Sequence, residues 1–129
     1  RALKLWFVIR SYGVEGLQAM IREHIRLGRV LAEWIESEPG FELIAPATLG
    51  LVVFRYVGHA DGKREVRRES FEAINRMLQD RVNATGRLFI TGTSLRGNYV
   101  LRVALGHLTT GEDDVRAAWD LIREAAGAP

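Results

Sequence analysis

A chain of 129 residues, 47% hydrophobic and 26% charged with a net charge of +2, has the length of one domain and the balance of a globular fold. It has no cysteine, which excludes disulfides, zinc–thiolate sites, iron–sulfur clusters and thiol catalysis within these residues. No apolar run approaches the roughly 18–20 residues that cross a bilayer, and acids interspersed with the arginines argue for a solvated mixed-charge surface, not a nucleic-acid face.

The chain opens on an apolar run, residues 3–9, that holds one lysine, Lys4. The run is too short for a signal peptide and lacks a small-residue cleavage site. Apolar on nearly every side, it is expected to be buried on more than one side. Tyr12-Gly13 reads as a break or kink. Over 14–37, Leu17, Met20, Ile21, His24, Gly28, Leu31 and Ile35 return to one face at helical spacing. Glu38-Pro39-Gly40 stops that helix, because proline cannot continue it and glycine suits the reversal.

Residues 41–45 read as a short strand that Pro46 ends or marks as an edge. Residues 49–57 are β-branched and aromatic and read as a central strand, followed by a turn or surface loop at 58–63. Residues 65–83 form a second amphipathic helix with Phe71, Ile74, Leu78 and Val82 as its stripe. Residues 88–95 and 98–105 are two strands joined by Arg96-Gly97 in a tight hairpin. A third helix starts at Thr109-Thr110-Gly111-Glu112, with capping-box spacing from Thr109 to Glu112, and buries Val115, Ala118, Trp119 and Ile122. Helices and strands do not alternate one by one. The expected fold is therefore α+β: about four antiparallel strands with helices on one face, preceded by a long N-terminal helical segment.

Chemistry is sparse. His24, His59 and His107 lie far apart with no metal-type spacing, and His24 falls on the apolar stripe of its helix, where a core histidine is the expected role. The stretch GTSLRG, 92–97, lacks the lysine and following helix of a phosphate loop and reads better as a hairpin. GVEG, 13–16, resembles a helix start able to meet an anion, but a kink accounts for it more simply. Lys4 among apolar neighbours is read as an interface or snorkelling lysine, not a nucleophile. No nucleophile–base–orienter trio is present in the pattern, so no catalytic, cofactor-binding or metal-binding residue is assigned.

RALKLWFVIRSYGVEGLQAMIREHIRLGRVLAEWI, residues 1–35, places a basic residue, a Leu-Lys-hydrophobic-Trp run, an Arg-x-Tyr-Gly and a long helix in succession. FELIAPATLGLVVFRY, 41–56, and INRMLQDRVNATGRLFITGTSLRGNYVLRVALGHLTTGEDDVRAAWDLIREAA, 74–126, follow in order. Together they resemble the group II pyridoxal-phosphate (PLP) decarboxylases, the aromatic-L-amino-acid decarboxylase family. No single motif is diagnostic; the ordered set carries the resemblance.

The resemblance implies the C-terminal part of such an enzyme. In that family the lysine that carries PLP follows a histidine in the large domain, and no His-Lys dipeptide occurs here. The family's cofactor-stacking aromatic and its aspartate for the pyridine nitrogen lie there too. Residues 1–38 are then the helical segment leading out of an absent large domain, and 39–129 the small domain. The parent is expected to be a PLP-dependent carboxy-lyase acting on amino acids, commonly aromatic ones, with this chain inactive alone and binding no PLP. Its partners are its own large domain and a second subunit of a cytoplasmic homodimer, with no nucleic acid and no membrane. Arg1, Lys4, Leu5, Trp6 and Phe7 are the candidate residues for the large-domain or subunit interface. Leu3, Leu5, Trp6, Phe7 and Val8, exposed in isolation, are expected to drive self-association. The element order also allows a second reading, a stand-alone α+β regulatory module that binds a ligand or a protein.

Overall fold

The computed structural model describes residues 2–58 and 68–127, with backbone alone at 68–70. Helix α1 (Ala2–Ser37) leads into the hairpin β1 (Phe41–Thr48) and β2 (Leu51–Tyr56). Helix α2 (Arg68–Ala84), the hairpin β3 (Thr91–Leu95) and β4 (Asn98–Ala104), and helix α3 (Glu112–Ala126) complete the order. The 58–63 loop beyond Gly58, with His59 in it, and the expected start of the second helix at 65–67 lie outside the described residues.

The four strands form one antiparallel sheet in the order β1-β2-β4-β3. Val52 pairs with Val103 and Phe54 with Leu101 across the two central strands. These four side chains share one face because strand side chains alternate. The helices cover that face, and Leu27, Leu31 and Ile35 of α1, Leu78 and Val82 of α2, and Val115, Trp119 and Ile122 of α3 join them in one core. This is the expected α+β architecture. Phe41 packs its ring 5.0 Å from Trp119 and 4.8 Å from Tyr56, closing the β1 edge of the core.

Three local expectations shift. First, β1 does not end at Pro46 but runs on to Thr48, with register irregularities between Leu43 and Ala45 and between Ala45 and Thr48. Proline is tolerated because β1 is an edge strand and the register is already broken around it. Second, Leu49 and Gly50 are not strand but a two-residue turn, both with positive φ, 50° and 74°. Arg96 and Gly97, at 52° and 77°, make the same kind of turn between β3 and β4, as the sequence suggests. Third, α3 is not capped from Thr109. Gly111 is the N-cap, and its N–H donates to the Asp114 carboxylate at 2.9 Å, while the Thr109 hydroxyl meets His107 Nδ1 at 3.1 Å.

Gly13 divides α1 into two helices, with φ 68° and ψ 168° inside an otherwise helical run. Only the second of these helices enters the core. There Gly28 meets the β1–β2 turn so closely that a Cβ on it would sit 3.3 Å from the Gly50 Cα. His24, one turn earlier, packs its Cβ against Gly50 and is only 7% exposed. Small residues here let helix and hairpin backbones touch.

Two asparagines of α2 hold the strand ends. Asn75, fully buried, accepts the Tyr56 N–H and donates to the Tyr56 carbonyl, both at 2.8 Å. The β2–β4 register covers residues 51–54 of β2 only, so the Asn75 amide takes the place of the next strand where β4 has parted from β2. Asn83, two turns on, does the same for Ile90, accepting its N–H at 2.8 Å and donating to its carbonyl at 3.0 Å. That clamp fixes the segment before β3, which is why residues 88–90 are ordered coil and not the strand the pattern suggests.

Candidate functional site

Residues 2–16 are all exposed. Leu3, Leu5, Trp6, Phe7 and Val8 are 64%, 61%, 53%, 56% and 41% exposed, joined by Ile9, Tyr12 and Val14. Trp6 and Phe7 stack edge to face at 5.1 Å, and the Arg10 guanidinium lies 5.7 Å over Trp6. Lys4 projects from the same arm. Arg1 lies outside the described residues. Of the sequence-assigned interface set, Lys4, Leu5, Trp6 and Phe7 thus come together on one solvent-facing helical arm. At about 1.5–3 kcal/mol for full burial of a large apolar side chain, the half-exposed arm leaves on the order of 10 kcal/mol of burial unrealised. Exposed apolar surface on this scale marks an interaction site.

The two described histidines, His24 and His107, do not form a catalytic or metal set. His24 Nε2 donates to the His107 carbonyl at 3.1 Å, pinning α1 to the segment after β4. Among the described residues no group of three or more metal-ligating side chains converges. The GVEG stretch is the Gly13 kink, and GTSLRG is the β3–β4 hairpin.

Across α1 and α3, Arg26 bridges Glu23 at 2.7 Å and Glu112 at 3.0 Å. The hydrogen bond from Arg26 holds the Glu23 carboxyl below its usual range, and Glu23 in turn raises the Arg26 guanidinium. Arg116 lies 3.4 Å over the Trp34 ring, and Arg123 meets Glu38 at 2.8 Å. Three contacts thus tie α1 and the residue that follows it to α3.

The sheet face away from the helices is the second feature of note, and the sequence reading missed it. Glu42 and Arg55 pair there at 2.7 Å across β1 and β2. Arg102 of β4 lies opposite Val53 and Thr91, and its Nε is buried without a hydrogen-bond partner among the described residues. A buried donor left unmade costs about 1–3 kcal/mol. The one available signal was an arginine in an otherwise apolar strand, YVLRVA.

Residues 1–57 match the family described as the pyridoxal-dependent decarboxylase conserved domain. A tryptophan decarboxylase of Camptotheca acuminata is 44% identical over 99% of this chain, and an aromatic-L-amino-acid decarboxylase of Catharanthus roseus 41% over 96%. The chain spans 25% and 24% of their respective lengths. Among solved structures, an Oryza sativa TDC bound to PLP and tryptamine superposes with a TM-score of 0.84 at 35% identity, over 97% of this chain and 26% of that one. The Catharanthus roseus tryptophan decarboxylase with L-tryptophan gives 0.81 at 39% identity, over 98% of this chain and 25% of that one. The chain is thus similar to these decarboxylases over nearly all of its length, while the family model itself matches residues 1–57.

Proposed function

We propose that this relative of the pyridoxal-dependent decarboxylases is the C-terminal part of a PLP-dependent amino-acid decarboxylase acting on aromatic L-amino acids. The bare apolar arm carries the reading: it is the surface a missing body would cover, in a chain that spans a quarter of its decarboxylase relatives. Residues 1–38 lead out of the large domain, and 39–129 form the small domain that helps close the site. Lys4, Leu5, Trp6 and Phe7 pack against the large domain or a second subunit of a homodimer.

PLP supplies the electron sink for the carbanion left when carbon dioxide departs. The described residues do not fit a resident PLP. Lys4 stands on the exposed arm, and the cavity beside α3 has no lysine in its lining. On this reading the chain alone is inactive and takes part by positioning.

The test is carbon dioxide release from L-tryptophan, L-tyrosine, L-phenylalanine and L-dopa with added PLP. The chain alone releases none; the same chain joined to its natural upstream polypeptide does. Turnover by the chain alone, or none by the joined protein on any of the four, overturns the reading.

A further inference from the structure

A cavity of about 300 Å³ opens between α3, the end of β4 and the 87–89 segment. Its floor is core: Leu31, Val103, Val115 and Ile122 are 1%, 6%, 1% and 0% exposed. Its rim carries Arg87, His107, Thr110 and Asp114. An apolar floor with a few polar groups at the mouth is the usual build of a small-molecule site, and this volume is at the low end of that class.

Two features set the ligand's chemistry. Phe89 stands at the mouth with 76% of its surface exposed, although its neighbour Ile90 is buried and clamped by Asn83. The wall is therefore held in place, and its aromatic ring is presented to the cavity mouth at no gain from burial. A planar apolar body seated on the floor would cover that ring. The rim charges are not equivalent. One oxygen of Asp114 is committed to the Gly111 N–H at 2.9 Å. His107 Nδ1 is engaged by the Thr109 hydroxyl at 3.1 Å. The Arg87 side chain makes no hydrogen bond or ion pair among the described residues, while its backbone N–H is fixed to the Thr85 hydroxyl at 3.2 Å. Arg87 is thus the cation of the mouth with no side-chain partner among the described residues, and Asp114, still charged, is held to the α3 N-terminus, so the group that Arg87 can take is an anion.

We propose that this cavity is a binding site for a small aromatic monocarboxylate, its ring on the Leu31–Val103–Ile122 floor beneath Phe89 and its carboxylate on Arg87. The site is separate from the arm and from the open sheet face, and it stands whether or not the decarboxylase reading does.

The probe is indole-3-acetate titrated into the 129-residue chain and followed by amide chemical shifts, with tryptamine as the cationic counterpart of similar shape. Saturable shifts confined to residues 87–89, 104–107 and 114–118 are expected for the acid, with tryptamine at least tenfold weaker. Arg87→Met, a surface change, weakens the acid about tenfold, the loss of one charge-assisted bond. Ala118→Leu, which fills the cavity from α3, abolishes binding; retained amide dispersion shows that the fold survives it. Equal binding of acid and amine, no effect of Arg87→Met, or shifts that map to the arm overturn the proposal.

Discussion

Asn75→Ala tests whether a side-chain amide stands in for a strand. The substitution removes the acceptor for the Tyr56 N–H and the donor for its carbonyl, both 2.8 Å bonds, in a residue with no exposed surface. The third bond, to the Phe71 carbonyl, is expendable, since that carbonyl lies within the helix's own ladder. Two buried backbone groups lose their partners at about 1–3 kcal/mol each, and water entering the vacated volume recovers a part, so the expected loss is about 2–4 kcal/mol. Against a total of about 5–15 kcal/mol for a domain, that is a large fraction. Urea unfolding followed by circular dichroism reads it as a lower midpoint with an unchanged slope. Hydrogen exchange adds a local reading, with the Tyr56 amide losing protection ahead of the amides of β4. A loss below about 0.5 kcal/mol, the range of an ordinary surface change, refutes the account and means that solvent already satisfies the end of β2.

Three further outcomes are expected. Gly92→Ala destabilises by about 1–3 kcal/mol, because a Cβ there would fall on the Tyr99 hydroxyl, which bonds Gln79 at 2.6 Å; thermal unfolding measures it. The Glu23 carboxyl is held low by Arg26, so its small contribution is full above its ordinary value of 4.5 and is lost as pH falls through the depressed value. Glu23→Gln removes that part of the acid dependence, read as a flatter stability curve below that pH. Arg102→Met stabilises the isolated chain by about 1 kcal/mol, since a methionine fills similar volume and leaves no unmade buried bond. The same change lowers kcat/KM in the joined protein if the covering body supplies an anion.

The fold was legible because its signals are local. The stripes of α2 and α3, the Gly13 kink and the Arg96-Gly97 turn each depend on residues within a turn or two of one another. The failures are places where a partner distant in sequence decides. Residues 88–90 carry a strand-like pattern, but Asn83 takes the hydrogen bonds that a neighbouring strand would have offered Ile90. Thr109 has the right spacing to Glu112 for a cap, yet Glu112 turns to Arg26 on α1, 86 residues away, and the cap passes to Gly111 and Asp114. The arm's all-round apolarity pointed to burial on more than one side, yet residues 3–9 stand exposed, because no described element of this chain reaches them. Arg102 was not legible, because nothing in YVLRVA says that its Nε has no hydrogen-bond partner among the described residues.

The length of α1 gives the arm its meaning. From residue 14 to 37 the helix is about 36 Å long at 1.5 Å per residue, whereas a six-residue strand such as β2 spans about 20 Å. The buried stripe stops accordingly: Ile35, Leu31, Leu27 and His24 are covered, and Ile21 and Val14 are 48% and 61% exposed. The first helix, before Gly13, lies farther still from the core. Residues 2–16 therefore contribute apolar surface but no core contact, and stability should not depend on them. Deleting residues 1–16 is expected to leave the urea midpoint within about 0.5 kcal/mol of the intact chain, the range of a surface change. The same deletion is expected to abolish concentration-dependent association in sedimentation. A drop of several kcal/mol would mean that the arm folds back on this chain's own core, and the case for a covering body would go with it.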